Sequence, residues 1–345
     1  MQKIIISHAS DAGQRIDRFC KKYLPNAALG GIYKMLRTWK IKVNGKKKDQ
    51  TYKLEPDDEI TFWISDDELL ILKKDEVPPS SMIEISSPAP QLSILYEDEY
   101  LMVLAKPAGL NVHAGDHKTN ESNLIDQVQD YLQGRHDSLT FRPALVHRID
   151  RDTSGCILIA KEKNVLESLL LDLQSHKIEK IYHTLVFGIP QKPQDTVRAK
   201  LLRVENARDE AKVRVDETGQ TAVTHYRIIK SYPVLPISSG TGGINPSRLP
   251  REAGQETESG ISLLECRIET GRTHQIRVHM AYIGCPIIGD KAYGDKKLNS
   301  YVARNMSIHR QMLHARELIF VHPITKKRLH IEAPYPTDFL SLISH

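Results

Sequence analysis

Residues 147–155 read HRIDRDTSG, with two carboxylates, Asp150 and Asp152, set between arginines and ahead of a Thr-Ser-Gly tail. Such groups can serve as nucleophile or as general acid and base. An aspartic protease would need glycine two residues after its aspartate; counted from Asp152, that place is Ser154, and no second Asp-Thr/Ser-Gly completes a dyad. A hydrolase with Asp150 and Asp152 as paired carboxylates would need surroundings that drive their pKa values apart, and nothing in the stretch supplies them. A lone working carboxylate on a loop feeding a strand remains, since CILIAK begins an apolar run just after Gly155 and loops held by a sheet commonly carry reactive groups. His274 and His279 suggest zinc, but a spacing of five does not place them on one helical face as i, i+4 would; no metal is expected. GTGG at 240–243 lacks the Lys-Ser/Thr of a phosphate loop.

Several elements must hold these groups. QRIDRFCKKYLPNA places Ile16, Phe19, Cys20, Tyr23 and Leu24 on one helical stripe that ends at Pro25. GGIYKMLRTWK predicts a second helix, with Ile32, Met35 and Leu36 inward and Lys34, Arg37 and Lys40 outward. Asn44-Gly45 within IKVNGKKK signals a tight turn and a hairpin, and DDEITFWI closes a small unit near residue 64. Residues 73–91, rich in proline and serine, read as a linker, and residues 233–260 as a flexible insertion. QLSILYEDEYLMVLAK reads as two strands about an acidic turn. NVLESLLLDLQSH is a helix with Val165, Leu166, Leu169, Leu170 and Leu173 on one face; IEKIYHTLVFG and GQTAVTHYRIIKSY are strands. Thr273 is the expected N-cap of a helix carrying Ile276, Met280 and Ile283 and ending at Gly284. The interleaving predicts an α+β catalytic domain built on a mixed sheet.

A chain of 345 residues with 40% apolar and 26% charged residues suits a globular protein of more than one domain. No apolar run reaches membrane-spanning length, so the expectation is a cytoplasmic protein without a membrane partner. Four dispersed cysteines suggest neither a disulfide framework nor a zinc cluster. Charge is uneven: residues 1–64 carry a net +6, the remainder −1. Such asymmetry fits a basic unit that meets nucleic acid, joined to a unit with other work.

The pattern RIDRF…LP…IYKMLRTWKIKVNGKKK…LEPDDEI resembles an S4 RNA-binding domain. Its Leu29-Gly30-Gly31 stands where many members have Ser-Arg, which leaves one expected phosphate contact without its residue. Lys34, Arg37, Lys40, Lys46, Lys47 and Lys48 remain to neutralise phosphates. HRIDRDTSG resembles the signature of RluA-type pseudouridine synthases, which isomerise uridine within RNA. Four further blocks agree in order: LAKPAGLNVHAG, KIEKIYHTLVFG, TGRTHQIRVHMAYIGCPIIGDKAYG and MLHARELIFVHPIT.

The resemblance implies three parts: an S4-like domain at 1–72, a linker at 73–91, and a catalytic domain at 92–345. It makes Asp150 the catalytic aspartate, as nucleophile or base. Pseudouridine forms when C1′–N1 breaks, the uracil turns, and C5 bonds to C1′; nothing is oxidised, so no cofactor is implied. It further implies Arg277 as the basic partner holding Asp150 charged and in place, Tyr182 as the surface stacked on uracil, Arg148 as the residue entering the opened RNA, and Leu313 as a pocket wall. Lys106, Gly109 and His113 would be scaffold or RNA contacts, and Asp152 a residue that turns the loop with Thr153 and Ser154. The substrate implied is large-subunit ribosomal RNA of the 23S type, with tRNA as the alternative, and the protein a monomer. The competing reading is a non-catalytic RNA-binding ribosome-assembly protein, against which Asp150, Tyr182 and Arg277 stand together.

Overall fold

The computed structural model describes residues 1–73, 92–113, 123–133, 138–204, 212–232 and 258–343. Residues 1–73 enclose their own apolar core. The stripe of α1 (Ile16–Tyr23) buries Ile16, Phe19 and Cys20, and α2 (Leu29–Arg37) turns Ile32, Met35 and Leu36 inward. Beside them lies an antiparallel sheet ordered β1 (Gln2–Ile5), β3 (Glu59–Phe62), β2 (Ile41–Val43).

The Asn44-Gly45 turn is present, with both residues at positive φ and Val43 and Lys46 exchanging main-chain hydrogen bonds. The pairing across that turn stops at this one antiparallel bridge, and β2 pairs along its length with β3 instead. Asp58, buried just before β3, explains the detour. Its carboxylate accepts from Asn44 Nδ2, the Tyr52 hydroxyl and the Glu55 amide, drawing the chain back through that point. The unit also continues past residue 64 into α3 (Asp66–Lys73), which packs Leu69 on the core. Lys73 ends that helix; the rest of the expected linker, 74–91, lies outside the described residues.

Polar contacts join this unit to the larger one. Buried Asp11 accepts hydrogen bonds from the Leu139 and Thr140 amides and from the Ser138 and Thr140 hydroxyls, and Ser10 donates to Glu162.

The larger unit is built on a mixed sheet, as expected. Its path among the described residues runs β10 (Lys212–Val215), β9 (Gln194–Val204), β11 (Gln220–Tyr232), β12 (Glu258–Ile268), β8 (Glu179–Ile189), β13 (Leu313–Val321), β7 (Ser154–Ala160), β5 (Leu101–Lys106), β4 (Ile94–Glu97). Two short strands, β6 (Ala144–Leu145) and β14 (Arg328–Glu332), pair with β7 and β13. The pairings are antiparallel except that of β13 with β7. The last three residues of the expected insertion open β12, while 233–257 lie outside the described residues.

Alternation along β8 sends Tyr182 to one face of the sheet, into the cluster that includes Ile276 and Leu313, and His183 to the other, where it meets Tyr335. A helix covers each face: α5 (Lys163–Gln174) buries Val165 and Leu169 against the cluster that holds β7 side chains. The apolar face of α5 is narrower than expected, with Leu170 37% exposed. On the Tyr182 face lies α6 (Gln275–Tyr282), whose Val278 packs with Leu201, Val213 and Ala222 from β9, β10 and β11.

Gly155 shows why the aspartate loop ends as it does. Its φ is +116°, and a Cβ there would lie 2.2 Å from the Ala315 carbonyl oxygen. Only glycine lets β7 approach β13 this closely while leaving the loop.

Candidate active site

Asp150 stands on the loop between β6 and β7, and the loop is clamped. Lys106, buried at the end of β5, donates to the carbonyls of Pro107, Leu110 and Arg151 at 2.6, 2.9 and 2.7 Å. The Gly109 amide donates to the Arg151 carbonyl, and Arg151 Nε returns a bond to the Gly109 carbonyl. These contacts make Lys106 and Gly109 scaffold for the aspartate loop. The Thr153 amide donates to the Asp150 carbonyl at 3.1 Å and closes the turn. Arg151 and Asp152 are the central residues of that turn, and the Asp152 side chain, 40% exposed, lies 4.0 Å from Arg151.

The Asp150 carboxylate faces α6. Arg277 Nη1 donates to Asp150 Oδ2 at 3.1 Å, across 127 residues of sequence. Arg277 is only 7% exposed, so it is not a helix-surface arginine. Its other donors are held by Asp290, with Nε to Oδ2 at 2.7 Å and Nη2 to Oδ1 at 2.9 Å. Asp290 is fully buried, and its Oδ1 also accepts from the Ala292 and Tyr293 amides. The guanidinium is thereby fixed in its plane, with Nη1 turned to Asp150. Burial alone would lower the Arg277 pKa, but the bonds and charge of Asp290, then of Asp150, outweigh it and raise the value.

Tyr293 completes the support. Arg277 lies 5.1 Å from its ring centroid, and its hydroxyl is shared by His274 Nδ1 at 2.9 Å and the Val213 amide at 2.9 Å. His274, rather than the expected Thr273, precedes α6 as its N-cap, in a left-handed conformation with φ 54° and no capping side chain. That conformation brings His274 Nε2 to 3.9 Å from Asp150 Oδ2. Burial lowers the His274 pKa against the pull of Asp150. Gln275 pins the turn before the helix, accepting from Thr270 Oγ1 and the Arg272 amide and donating to the Val223 carbonyl.

A pocket opens beside the carboxylate. Tyr182, Ile268, Ile276 and Leu313 supply apolar surface, while Arg148, Asp150, Thr153, His274 and Arg277 supply polar groups. Tyr182 is 6% exposed on β8, and burial followed by the Asp150 charge pushes its phenol pKa upward, so it stays protonated at neutral pH. Leu313, 4% exposed, starts β13 on the same wall. Arg148 is exposed at the rim. The structure thus brings Asp150, Arg277, Tyr182, Leu313 and Arg148 around one cavity. Such a site can lay a planar ring against an aromatic and an aliphatic wall and set an oriented carboxylate at its edge.

Lys34, Arg37, Lys40, Lys46, Lys47 and Lys48 lie on the N-terminal unit, and none lines this pocket. Five are exposed, while Lys48 is half-buried with its ammonium 4.0 Å from the Tyr52 ring centroid. Lys40 lies 3.7 Å from Glu68. Sequence reasoning missed Asp290, Tyr293, His274 and Gln275 as supports of the site. Asp290 and Tyr293 belong to GDKAYG, but only folding shows that their partner is Arg277.

A mixed-sheet α+β domain with this pocket has known counterparts. The human protein titled RNA Pseudouridylate Synthase Domain Containing 4 superposes with a TM-score of 0.53 at 24% identity, covering 73% of this chain and 92% of that one, a likeness of fold. The fold is that of the pseudouridine synthases. Residues 100–282 match the family described as RNA pseudouridylate synthase. A protein of Vibrio cholerae named ribosomal large subunit pseudouridine synthase C is 34% identical over 325 residues, 94% of this chain and 90% of that one. Its namesake in Escherichia coli K12 is 33% identical over 333 residues, 96% and 92%. This chain belongs to the RNA pseudouridylate synthase family and is an RNA-isomerising enzyme of the RluA type.

Proposed function

We propose that the enzyme converts uridines of large-subunit ribosomal RNA to pseudouridine, with Asp150 as the catalytic carboxylate. The observation that carries the reading is the Asp150–Arg277–Asp290 chain at the mouth of a pocket walled by Tyr182 and Leu313. Relatives named for the ribosomal large subunit, similar over nine-tenths or more of both chains, support the substrate.

In this reading the target uridine leaves its stack and enters the pocket, where its base lies on Tyr182. Extraction costs a few kcal/mol, and Arg148 at the rim offsets part of that by occupying the vacated position. Asp150, aimed by Arg277, serves the exchange at the sugar as nucleophile or base. C1′–N1 breaks, the uracil turns within the pocket, C1′–C5 forms, and the hydrogen at C5 leaves as a proton while N1 gains one. The N-terminal unit acts as an S4-like RNA-binding domain (residues 1–72) joined through 73–91 to the catalytic domain (92–345). Its Lys34, Arg37, Lys40, Lys46 and Lys47 contact phosphates. The enzyme works in the cytoplasm as a monomer.

The test uses a large-subunit ribosomal RNA transcript tritiated at uridine C5, since isomerisation releases that label to water. Wild type is expected to release tritium, and Asp150→Asn to release none. Among the described residues, the Asp150 side chain makes one hydrogen bond, at 3.1 Å to Arg277. The variant is therefore expected to unfold within about 1 kcal/mol of wild type. Turnover by Asp150→Asn would remove the aspartate from its assigned role, and release from tRNA alone would reassign the substrate.

A further inference from the structure

The chain contains two tryptophans, both on the N-terminal unit, and both are out in solvent: Trp39 is 53% and Trp63 51% exposed. Neither builds the core of that unit. The two are neighbours in the fold because the Trp63 amide donates to the Lys40 carbonyl at 2.7 Å, extending the β2–β3 pairing by one step. Lys42 binds them into one surface, its ammonium 5.6 Å from the Trp39 ring centroid and 5.2 Å from that of Trp63.

The backbone at Trp39 adds a second observation. Helix α2 ends at Arg37 with Thr38 as its C-cap, so Trp39 falls where a helix ordinarily places glycine, and its φ is +66°. A bulky side chain is strained in this left-handed conformation. A residue that is strained, exposed and outside the core is not explained by the stability of the fold. Cations surround it: Lys34 and Arg37 on the last turn of α2 are exposed, and Lys40, 3.7 Å from Glu68, follows directly.

We propose that Trp39 and Trp63, with Lys42 between them, form a stacking platform for unpaired bases of the RNA substrate, flanked by Lys34, Arg37 and Lys40 on its phosphates. The inference rests on the reading of this protein as an RNA-modifying enzyme, and deepens it by stating how the N-terminal unit grips single-stranded RNA. Exposed indole faces accept any base, and the surrounding cations neutralise the backbone, a combination suited to single strands rather than to duplex.

The experiment uses the full chain. Its only tryptophans sit on the platform, so their fluorescence reports binding there and is silent to a base in the catalytic pocket. Titration with an unstructured oligouridylate is expected to quench the emission, while an RNA duplex of the same length quenches little. Trp39→Gly is expected to weaken oligouridylate binding about 5- to 150-fold, the span given by loss of one stacked base. Its denaturation midpoint should be no lower than wild type, because glycine relieves the left-handed strain. Trp63→Ala should weaken binding similarly and Trp63→Phe restore most of it. RNA bound by wild type without quenching, or bound equally well by Trp39→Gly and Trp63→Ala, would overturn the platform while leaving the enzyme reading intact. Failure of wild type to bind or turn over any RNA would overturn both. Quenching by duplex as strong as by single strand would also refute it.

Discussion

Asp290 sets the direction of Arg277, the partner of Asp150, and Asp290→Asn isolates that effect. The side chain is fully buried and accepts four hydrogen bonds: two from Arg277 and two from the amides of Ala292 and Tyr293. Asparagine matches its shape and can keep Oδ1 on both amides. Its Nδ2 then faces Arg277 Nε, donor against donor, across what was a 2.7 Å bond. Flipping the amide moves the conflict to the main chain. Removing one partner of a buried ion pair costs about 3–5 kcal/mol. Asp150 still faces the guanidinium at 3.1 Å, so a loss near the lower figure, about 3 kcal/mol, is expected in urea unfolding. Turnover should fall as well, because a guanidinium released from Asp290 no longer holds the carboxylate at one angle. We expect kcat in the tritium-release assay to drop at least about tenfold, with KM for the RNA little changed. A variant within about 0.5 kcal/mol of wild type and with an unaltered kcat would refute the claim that Asp290 orients the site.

Other perturbations test the remaining parts. Burial pushes the pKa of His279 and His314 down to about 4 each, while both would titrate near 6.5 in the unfolded chain. A lowered histidine pKa gives stability that is whole above the unfolded value and lost as pH falls through the window down to the folded one. Stability should therefore drop by about 3 kcal/mol per histidine between roughly pH 6.5 and 4, and a flat urea midpoint over that range would contradict it. Gly155→Ala would drive a Cβ into the Ala315 carbonyl, at 2.2 Å. We expect a loss of about 3 kcal/mol or more, and wild-type stability would mean that β7 can move away from β13 at little cost. Arg148→Ala, at an exposed rim position, should leave the urea midpoint unchanged. It should lower kcat/KM more on base-paired ribosomal RNA than on an unstructured strand; equal losses on both would assign Arg148 to phosphate binding instead.

Local periodicity made much of the framework legible. The stripe from Ile16 to Leu24, the inward face of α2, the strand β8 and the apolar run of β7 each follow from side-chain types and spacing that a single element must satisfy, and each is present. The HRIDRDTSG stretch pointed to the carboxylate, and the ordered blocks around it to the family. The sequence also supplied the residues that gather at the pocket, Asp150, Tyr182, Arg277 and Leu313, though not the distances between them.

Tertiary structure decided the rest, because these features depend on approaches between segments far apart in the chain. Asp150 and Arg277 meet across 127 residues, and the support from Asp290 and Tyr293 exists only once the loop after α6 folds under the helix. The partner of β2 is set by buried Asp58 rather than by the Asn-Gly turn that local signals favoured. The tight turn into β7 needs glycine because of a strand that arrives about a hundred and sixty residues later. Nothing in the spacing brings Trp39 and Trp63 together; the fold leaves both in solvent on either side of Lys42. Periodicity assigns a side chain to a face of its own element, but what that face meets is fixed by how the elements pack.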